Sequence, residues 1–233
     1  MLKAVAAIPK HREPFSTFPE WQKGNTSEGE FCMLGRNIYL KSGLIALVLC
    51  FWPAPKALAE TPRQQLQGTI DRVMEVMQTI RSAEDIERSK GSLRQILLAR
   101  FDFAEMARRS LGKHWNNLNG KEGEFVSTFT QFIEGSYMGV LGSYRGEKVV
   151  YGQERVEQEF AEVDTRILGG QGTPMEVHYR LHLVGGVWKV YDVVIDHVSL
   201  VSNYQSQFSR ILRSAPLEEL LKKLREKGEG ARG

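Results

Sequence analysis

Hydrophobic periodicity changes once along this chain of 233 residues, and the change sets the fold class. Up to about residue 144 the apolar side chains recur three and four positions apart, which is typical of amphipathic helices. After Gly146 they alternate with polar side chains, which is typical of strands with one buried face. Helices that come first and strands that follow predict an α+β fold with an antiparallel sheet.

Four helices are predicted before the strands and two after them. Apolar spacing predicts helices over three stretches, 64–81, 85–99 and 121–144. Asp102 followed by Glu105 is typical of a further helix start, in which the carboxylate caps the first turn, and Gly112 suits its end. A closing helix is predicted over 201–213, with a short one after Pro216.

Four strands are predicted for the second half of the chain. Met175 to Leu183 alternate, Gly185-Gly186 is typical of a two-residue hairpin turn, and Val187 to Val198 form the return strand. Residues 148–168 supply two more strands, broken near Gln153-Glu154. We therefore expect N-terminal helices packed on a twisted antiparallel sheet of about four strands, with a C-terminal helix.

The hairpin turn determines which residues face each other across its two strands. With the turn at the glycine pair, three pairs follow: Leu183 with Trp188, Leu181 with Val190, and Tyr179 with Asp192. Paired residues point to the same side of a sheet, so Asp192 is expected on the apolar face beside Tyr179. A buried carboxylate needs a partner, and the Tyr179 hydroxyl is the candidate donor.

Residues capable of catalysis do not assemble into a recognisable reactive centre. His178 and His182 share a strand face but lie roughly 13 Å apart, too far to share a metal ion, so we expect solvated histidines and no metal site. Asp192, His197 and Ser199 are the residue types of a hydrolase triad, but Asp192 points away from His197 on a regular strand. Nucleophile-elbow, zinc-protease and nucleotide-binding motifs are absent from the sequence. We interpret Asp192 and Ser199 as structural polar groups, and we predict neither enzymatic activity nor a cofactor.

The segment from Met33 has the three parts of a secretory signal peptide. Arg36 and Lys41 form a positive region, residues 43–52 form an apolar region, and Ala57-Leu58-Ala59 is an A-x-A cleavage site, formed by Ala57 and Ala59. An apolar stretch of about ten residues is too short to span a bilayer. We therefore expect export and cleavage after Ala59.

Cleavage at that point divides the chain into three parts. Residues 1–32 are polar and irregular and are interpreted as an upstream extension of the reading frame, residues 33–59 as the signal peptide, and 60–233 as one domain. The two cysteines precede the cleavage site, which excludes disulfides, thiolate zinc sites and cysteine nucleophiles from the mature domain.

The charge of the mature domain argues against nucleic-acid binding. Seven of the 31 Lys and Arg residues and four of the 28 Asp and Glu residues lie in 1–59, which leaves 24 of each beyond it. A net charge of zero lacks the basic surface that a phosphate backbone demands. What remains is abundant apolar surface without a reactive centre. This fits a binding protein with an apolar cavity, or a structural or partner-binding domain whose core is filled.

Several segments in order resemble the MlaC family of periplasmic phospholipid-binding proteins, also called toluene-tolerance proteins. The resemblance extends from about residue 63 to 226, with one departure at Gln205, where Arg is expected. Its carriers are Phe101-Asp102-Phe103, Met106-Ala107, Leu111-Gly112, Trp115, Tyr137, Leu141, Tyr144, Trp188-Lys189-Val190-Tyr191-Asp192-Val193, Val198-Ser199-Leu200-Val201, Asn203-Tyr204 and Gln207-Phe208.

The resemblance implies a monomeric carrier in the periplasm of a Gram-negative cell, which holds the acyl tails of a phospholipid in a deep cavity between sheet and helices. Its implied partners are an inner-membrane ABC transporter complex bearing an MCE-domain protein and an outer-membrane lipoprotein–porin complex, and its implied role is to maintain lipid asymmetry of the outer membrane. Two alternatives stay open: a carrier of another apolar ligand, such as a hopanoid, an isoprenoid or an aromatic solvent, and a lipid-modifying enzyme.

Residues expected to line the cavity come from the end of the aromatic helix, the apolar face of the hairpin and the closing helix. They are Tyr137, Val140, Leu141, Tyr144, Val177, Tyr179, Leu181, Trp188, Val190, Tyr204 and Phe208.

Overall fold

The computed structural model describes residues 60–138, 146–169 and 174–230. The proposed upstream extension, the signal peptide and its cleavage site at Ala57 and Ala59 lie outside these ranges. So do three of the expected cavity residues and the side chain of a fourth: Val140, Leu141, Tyr144 and Tyr137.

Helices and strands follow one another in the predicted order, and the fold is α+β. The helices are α1 (Pro62–Thr79), α2 (Ala83–Arg100), α3 (Phe103–Leu111), a 3₁₀ segment (Gly112–Asn117), α4 (Glu122–Met138), α5 (Leu200–Leu212) and α6 (Leu217–Gly230). The strands are β1 (Lys148–Glu157), β2 (Phe160–Leu168), β3 (Met175–Val184), β4 (Val187–Ile195) and β5 (Val198–Ser199). None of the helices in the described residues is both apolar enough and long enough to cross a bilayer.

Local sequence determines where the first three helices start. Thr61 and Ser82 each form a capping box with the residue three positions on, so both the first backbone N–H groups and the cap itself are satisfied. Asp102 accepts a hydrogen bond from the backbone N–H of Glu105 at 2.9 Å, as its spacing predicts. Gly112 ends α3 with a φ of +54°, a conformation that favours glycine.

The sheet has five antiparallel strands in sequential order, one more than expected. The predicted return strand from Val187 to Val198 is interrupted because Asp196 and His197 adopt positive φ angles of 46° and 68°. Its last residues therefore form the separate two-residue strand β5. The break predicted near Gln153-Glu154 is a bulge within β1, and the chain reverses instead at Gln158, where φ is 53°.

The predicted hairpin register is correct near the turn and wrong beyond it. Leu183 pairs with Trp188 and Leu181 with Val190, as expected. The register then shifts because Tyr191 is an extra residue in β4, so Asp192 pairs with Arg180 instead of Tyr179. A shift of one residue reverses the side to which a side chain points, and Asp192 therefore lies on the opposite face from the one predicted.

Two hydrophobic clusters hold the fold together. The helical cluster is built from α3, α4, α5 and α6 around stacked and edge-on rings, among them Phe125, Phe129 and Phe208. The sheet cluster lies between α1 and the face of the sheet that we call the inner face. Phe101 contacts both clusters, and the backbone N–H of Asp102 donates to Val190 O at 2.8 Å. This short segment therefore joins helices to sheet.

Candidate ligand-binding site

The inner face of the sheet is the candidate binding surface. Helix α1 packs on it through Leu66, which is 1% exposed, and through Ile70. The buried members of the sheet cluster are Leu66, Ala161, Val163, Val177, Leu181, Trp188, Val190, Val193 and Leu200. The members of this cluster that belong to β2, β3 and β4 point to one side of the sheet, because side chains alternate along a strand. Together they form a broad apolar surface beneath α1, which we call the floor.

Burial is uneven along this floor. Val163, Leu181 and Val190 are fully buried at its centre. Other apolar side chains of the same cluster keep accessible surface: Ile70, Phe101, Tyr151, Ile167, Met175, Tyr179, Leu183 and Ile195. Ile167 pairs with Met175 at one end of the β2–β3 ladder, so two of these partly exposed side chains are neighbours there. Apolar surface of this kind is what the acyl chain of a ligand would cover.

The expected cavity residues divide between the two clusters. Five of them, Val177, Tyr179, Leu181, Trp188 and Val190, lie together in the sheet cluster. Tyr204 and Phe208 lie instead in the helical cluster, where their rings stack 5.7 Å apart.

Several members of the sheet cluster were not among the expected cavity residues, including Ile70, Tyr151, Ile167 and Met175. The alternation of Val163, Thr165 and Ile167 is the signal that would have placed Ile167 on the inner face.

Two tyrosines bring hydroxyl groups into this apolar region. The Tyr151 hydroxyl is buried and makes no hydrogen bond to any described residue. Burial first, then the negative charge of Asp71 and the neighbouring Tyr179, raises the pKa of Tyr151 above its ordinary value. Burial likewise raises the pKa of Tyr179 to about 12. Both phenols are therefore neutral hydrogen-bond donors at any physiological pH.

Arg100 closes the opposite end of the sheet cluster. Its guanidinium donates to Thr69 Oγ1 at 3.0 Å, to Gln65 Oε1 at 2.7 Å and to the Trp188 carbonyl oxygen. Gln65 Oε1 also accepts from the backbone N–H of Trp188 at 3.0 Å. Burial lowers the pKa of Arg100, and the three neutral acceptors solvate the guanidinium in place of water. The side chain fixes α1 and α2 against β4.

Asp192 lies where β4, β5 and α5 meet and is 3% exposed. It accepts hydrogen bonds from Ser199 Oγ at 2.7 Å, from the Val201 backbone N–H at 3.1 Å and from Arg180 at 3.1 Å. Burial raises the pKa of Asp192 despite these donors. The predicted donor, Tyr179, is on the other face of the sheet. This network also places the N-terminus of α5, and the structural roles of Asp192 and Ser199 stay a prediction.

His178 and His182 each have a carboxylate partner, in contrast to the solvated groups that we expected. His178 Nδ1 lies 2.7 Å from Asp164 Oδ1, and His182 Nε2 lies 3.1 Å from Asp102 Oδ2. His197 is exposed, while Ser199 donates directly to Asp192, so the described residues do not assemble the triad.

Two groups of described residues have the geometry to hold a cation, and His178 belongs to both. The first adds Glu162 and Asp164, and the second adds the exposed Glu176 and His197. Arg155 already contacts the carboxylates of Glu162 and Asp164, at 3.0 Å and 3.3 Å. The first group is therefore explained as an ion-pair network on the outer face of β1–β3.

Asp102 supports a stability prediction. Replacing it with Ala is expected to lower the free energy of unfolding by about 1–2 kcal/mol, because α3 loses its N-cap acceptor and His182 loses its carboxylate. The hydrogen bond to His182 is the main cause that holds the pKa of Asp102 below its ordinary 3.8. Because the folded-state pKa of Asp102 is lowered, this group adds stability at pH values above 3.8. That stability is lost as the pH falls through the folded-state pKa. The difference between wild type and variant should therefore narrow in acid.

Urea unfolding of both proteins across this pH range measures that difference. Asp102→Asn is the matched control, because its amide oxygen still accepts from Glu105, and it should lose less stability than Asp102→Ala. A difference that stays constant or widens below pH 3.8 would contradict the assigned role.

A concavity of about 490 Å³ lies between α3 and α4. Trp115 and Val126 give it apolar walls, and Asp102, Glu105, Arg108 and Glu122 give it polar ones. The carboxylate of Glu105 is bound by Arg108 and Arg109, and that of Asp102 by His182. These two carboxylates therefore have partners within the protein.

Comparison with known proteins gives consistent matches. A family model described as "MlaC protein" matches residues 67–226. The intermembrane phospholipid transport system binding protein MlaC of Haemophilus influenzae is 23% identical, and the alignment covers 78% of this chain and 90% of that protein. The toluene tolerance protein ttg2D of Pseudomonas putida is 22% identical over 73% of this chain and 81% of its own.

A solved structure shares the fold. The phospholipid-binding protein of Ralstonia solanacearum, solved in complex with a phospholipid, superposes with a TM-score of 0.61. Its sequence is 22% identical, and the superposition covers 72% of this chain and 98% of that one.

Proposed function

This chain belongs to the MlaC family, and on that premise we propose that it is a periplasmic carrier that binds the acyl chains of a phospholipid and moves the lipid between the two membranes. The observation that carries the proposal is the accessible apolar surface on the inner face of the sheet, around Ile167, Met175 and Tyr179. The resemblance of the chain to a phospholipid-bound structure supports this assignment of the ligand.

The proposed binding region combines the inner face of the sheet with expected contributors from other parts of the chain. It comprises Val177, Tyr179, Leu181, Trp188 and Val190, the newly identified Ile70, Tyr151, Ile167 and Met175, and the expected contributors Tyr137, Val140, Leu141, Tyr144, Tyr204 and Phe208. The fully buried members of the sheet cluster form its floor, and the partly exposed ones contact the acyl chains. Tyr204 and Phe208 would contribute from the helical cluster.

The energetics of such a ligand determine how the carrier must work. Burying one methylene is worth about 0.8 kcal/mol, and a lipid with two chains has roughly 30 of them, which gives about 20–25 kcal/mol. That sum exceeds the roughly 18–21 kcal/mol at which noncovalent affinities saturate. Release into water would be negligibly slow. The bound state must therefore be nearly isoenergetic with a bilayer, and unloading must occur in a docked complex.

Two membrane complexes are the proposed docking partners. The Haemophilus relative is named as the binding protein of an intermembrane phospholipid transport system, which supports a carrier that meets both membranes. We propose that this chain docks on an inner-membrane ABC transporter complex with an MCE-domain protein and on an outer-membrane lipoprotein–porin complex. The signal-like segment before Glu60 supports export to the periplasm.

Catalysis has no part in this proposal. Ser199, the candidate nucleophile, donates to Asp192 and caps α5, and both roles are structural. A lipid-modifying activity would appear as lysolipid or free fatty acid produced from bound phospholipid. A carrier of a hopanoid, an isoprenoid or an aromatic solvent is the second candidate, and the chemistry of the bound ligand distinguishes it.

Transfer of a fluorescent phospholipid from vesicles tests the proposed function. The full chain, expressed in a Gram-negative host, recovered from the periplasm and stripped of its bound lipid, should take up the labelled lipid when mixed with phosphatidylglycerol vesicles. Unlabelled phospholipid should compete, whereas a hopanoid or toluene should not. Recovery of the protein only in the cytoplasm, or failure to take up lipid in any form, would contradict the proposal.

A further inference from the structure

Tyr151 and Tyr179 stand on either side of the same strand on the inner face of the sheet. In the ladder, Tyr151 of β1 pairs with Thr165 of β2, while Tyr179 of β3 pairs with Val163 of the same strand. Thr165 Oγ1 already donates to the Val177 carbonyl oxygen at 3.0 Å. The Thr165 hydroxyl is therefore used within the sheet, and the two phenols are left as the donors at this point of the surface.

Burial of the Tyr151 hydroxyl costs free energy, and no hydrogen bond from the described residues offsets it. It is buried, and no described residue accepts its proton. Buried polar groups are hydrogen-bonded in the great majority of proteins, and an unsatisfied one calls for an explanation. Phenylalanine would fill the same space without that cost, because it differs from tyrosine only in the hydroxyl group. A ligand oxygen at this point is such an explanation.

The surroundings of the Tyr151 hydroxyl are apolar and carry charges of both signs. Burial is the main cause that raises the pKa of Tyr151; the Asp71 carboxylate adds to this effect and the Arg63 guanidinium opposes it, so the nearby charges do not select an anion. Arg63 lies 5.7 Å from the Tyr151 ring centroid, and it donates to the Gly152 carbonyl oxygen at 3.4 Å. Its backbone N–H donates to Glu154. A neutral carbonyl oxygen, two bonds from an acyl chain, suits both the donors and the apolar floor.

We propose that Tyr151 and Tyr179 form a donor pair that binds an ester carbonyl oxygen of the phospholipid. The pair would fix the depth at which the lipid sits, because acyl chains lie on the apolar floor and the head group begins beyond the ester. It would also select ester-linked lipids over ether-linked ones. This inference rests on the proposed carrier function. It specifies which part of the ligand forms hydrogen bonds with the polar groups of the site.

Competition between two lipids that differ only at the linkage tests the pair. Vesicles contain equal amounts of dioleoyl phosphatidylcholine and its diether analogue, which keeps the phosphate and the chains but has no carbonyl oxygen. The full-length protein is stripped of its bound lipid before incubation with these vesicles, and the lipid on the reisolated protein is then quantified by mass spectrometry. We expect wild type to be enriched about tenfold in the diester, Tyr151→Phe and Tyr179→Phe about threefold, and the double variant not at all.

Tyr191→Phe is the matched control. Its ring lies on the outer face, 5.5 Å from His182 and 4.1 Å from the Arg109 guanidinium, so the diester preference should equal that of wild type. Thermal unfolding of Tyr151→Phe without lipid should be unchanged or shifted upward, because an unpartnered hydroxyl is removed.

The outcomes separate this inference from the function on which it rests. Wild type that takes up both lipids equally would overturn the donor pair and leave the carrier function standing. A diester preference that persists in the double variant, or a clear loss of stability in Tyr151→Phe alone, would also overturn it. Wild type that takes up neither lipid would overturn the carrier function and this inference with it.

Discussion

Replacing Ile167 with Asp is expected to deprive the protein of phospholipid while leaving its fold intact. Ile167 lies at the partly exposed end of the inner face, next to its ladder partner Met175. A carboxylate there would have to be desolvated by an acyl chain that offers it no hydrogen bond. We expect retention of lipid to fall on the order of a hundredfold, since a penalty of about 3 kcal/mol corresponds to that factor. Because Ile167 keeps accessible surface, the lipid-free protein can hydrate the new carboxylate.

The neighbouring residue provides the control. Leu168 follows Ile167 in β2, points to the opposite face and is 37% exposed, so Leu168→Asp introduces the same charge one position away. That variant should bind lipid like wild type. Extraction and quantification of bound lipid, with circular dichroism to confirm folding, gives the comparison. Equal loading of the two variants would place the acyl chains elsewhere and contradict the site.

Replacing Asp192 with Ala is expected to cause the largest loss of stability among the polar substitutions considered, about 3–5 kcal/mol. The change removes the shared acceptor of Ser199, the Val201 N–H and Arg180 in a place where water cannot replace it. The start of α5 and its attachment to β4 depend on this carboxylate. Chemical denaturation at neutral pH measures the loss.

Two variants separate the carboxylate from its partners. Ser199→Ala removes one donor to Asp192 and the N-cap of α5, and it should cost about 1 kcal/mol. Asp192→Asn keeps an oxygen that can accept from Val201 and should fall between the two. If Asp192→Ala cost no more than Ser199→Ala, the network would not be the anchor of α5.

Features that depend on neighbours in sequence were predicted correctly. The helix start at Asp102, its end at Gly112 and the turn at Gly185-Gly186 follow from short motifs whose geometry is local. The α+β order likewise follows from the change of hydrophobic period, because each element must bury one face. The family resemblance added the ligand, which the apolar residues alone left open.

Features that depend on distant partners were missed. The bulge at Tyr191 leaves no local mark, yet it moves Asp192 to the other face and changes its partner from Tyr179 to Arg180. In the sequence, Arg100 is indistinguishable from any other helical arginine. Its hydrogen-bond partners lie 31, 35 and 88 positions away, so no local pattern indicates them. The expected cavity list drew on both clusters, because the sequence does not show which cluster a helical side chain joins. Tyr204 and Phe208 lie in the helical cluster, and their contact with lipid stays a prediction.

Lipid carried by the protein from the cell is the most direct test of the account. The full chain is expressed in a Gram-negative host, purified from the periplasm without detergent, and extracted into organic solvent for mass spectrometry. We predict intact phospholipid in an amount close to equimolar with the protein, and a mature N-terminus at Glu60. Lysolipid or free fatty acid in its place would indicate an enzyme, and a protein that carries no lipid would contradict the carrier function.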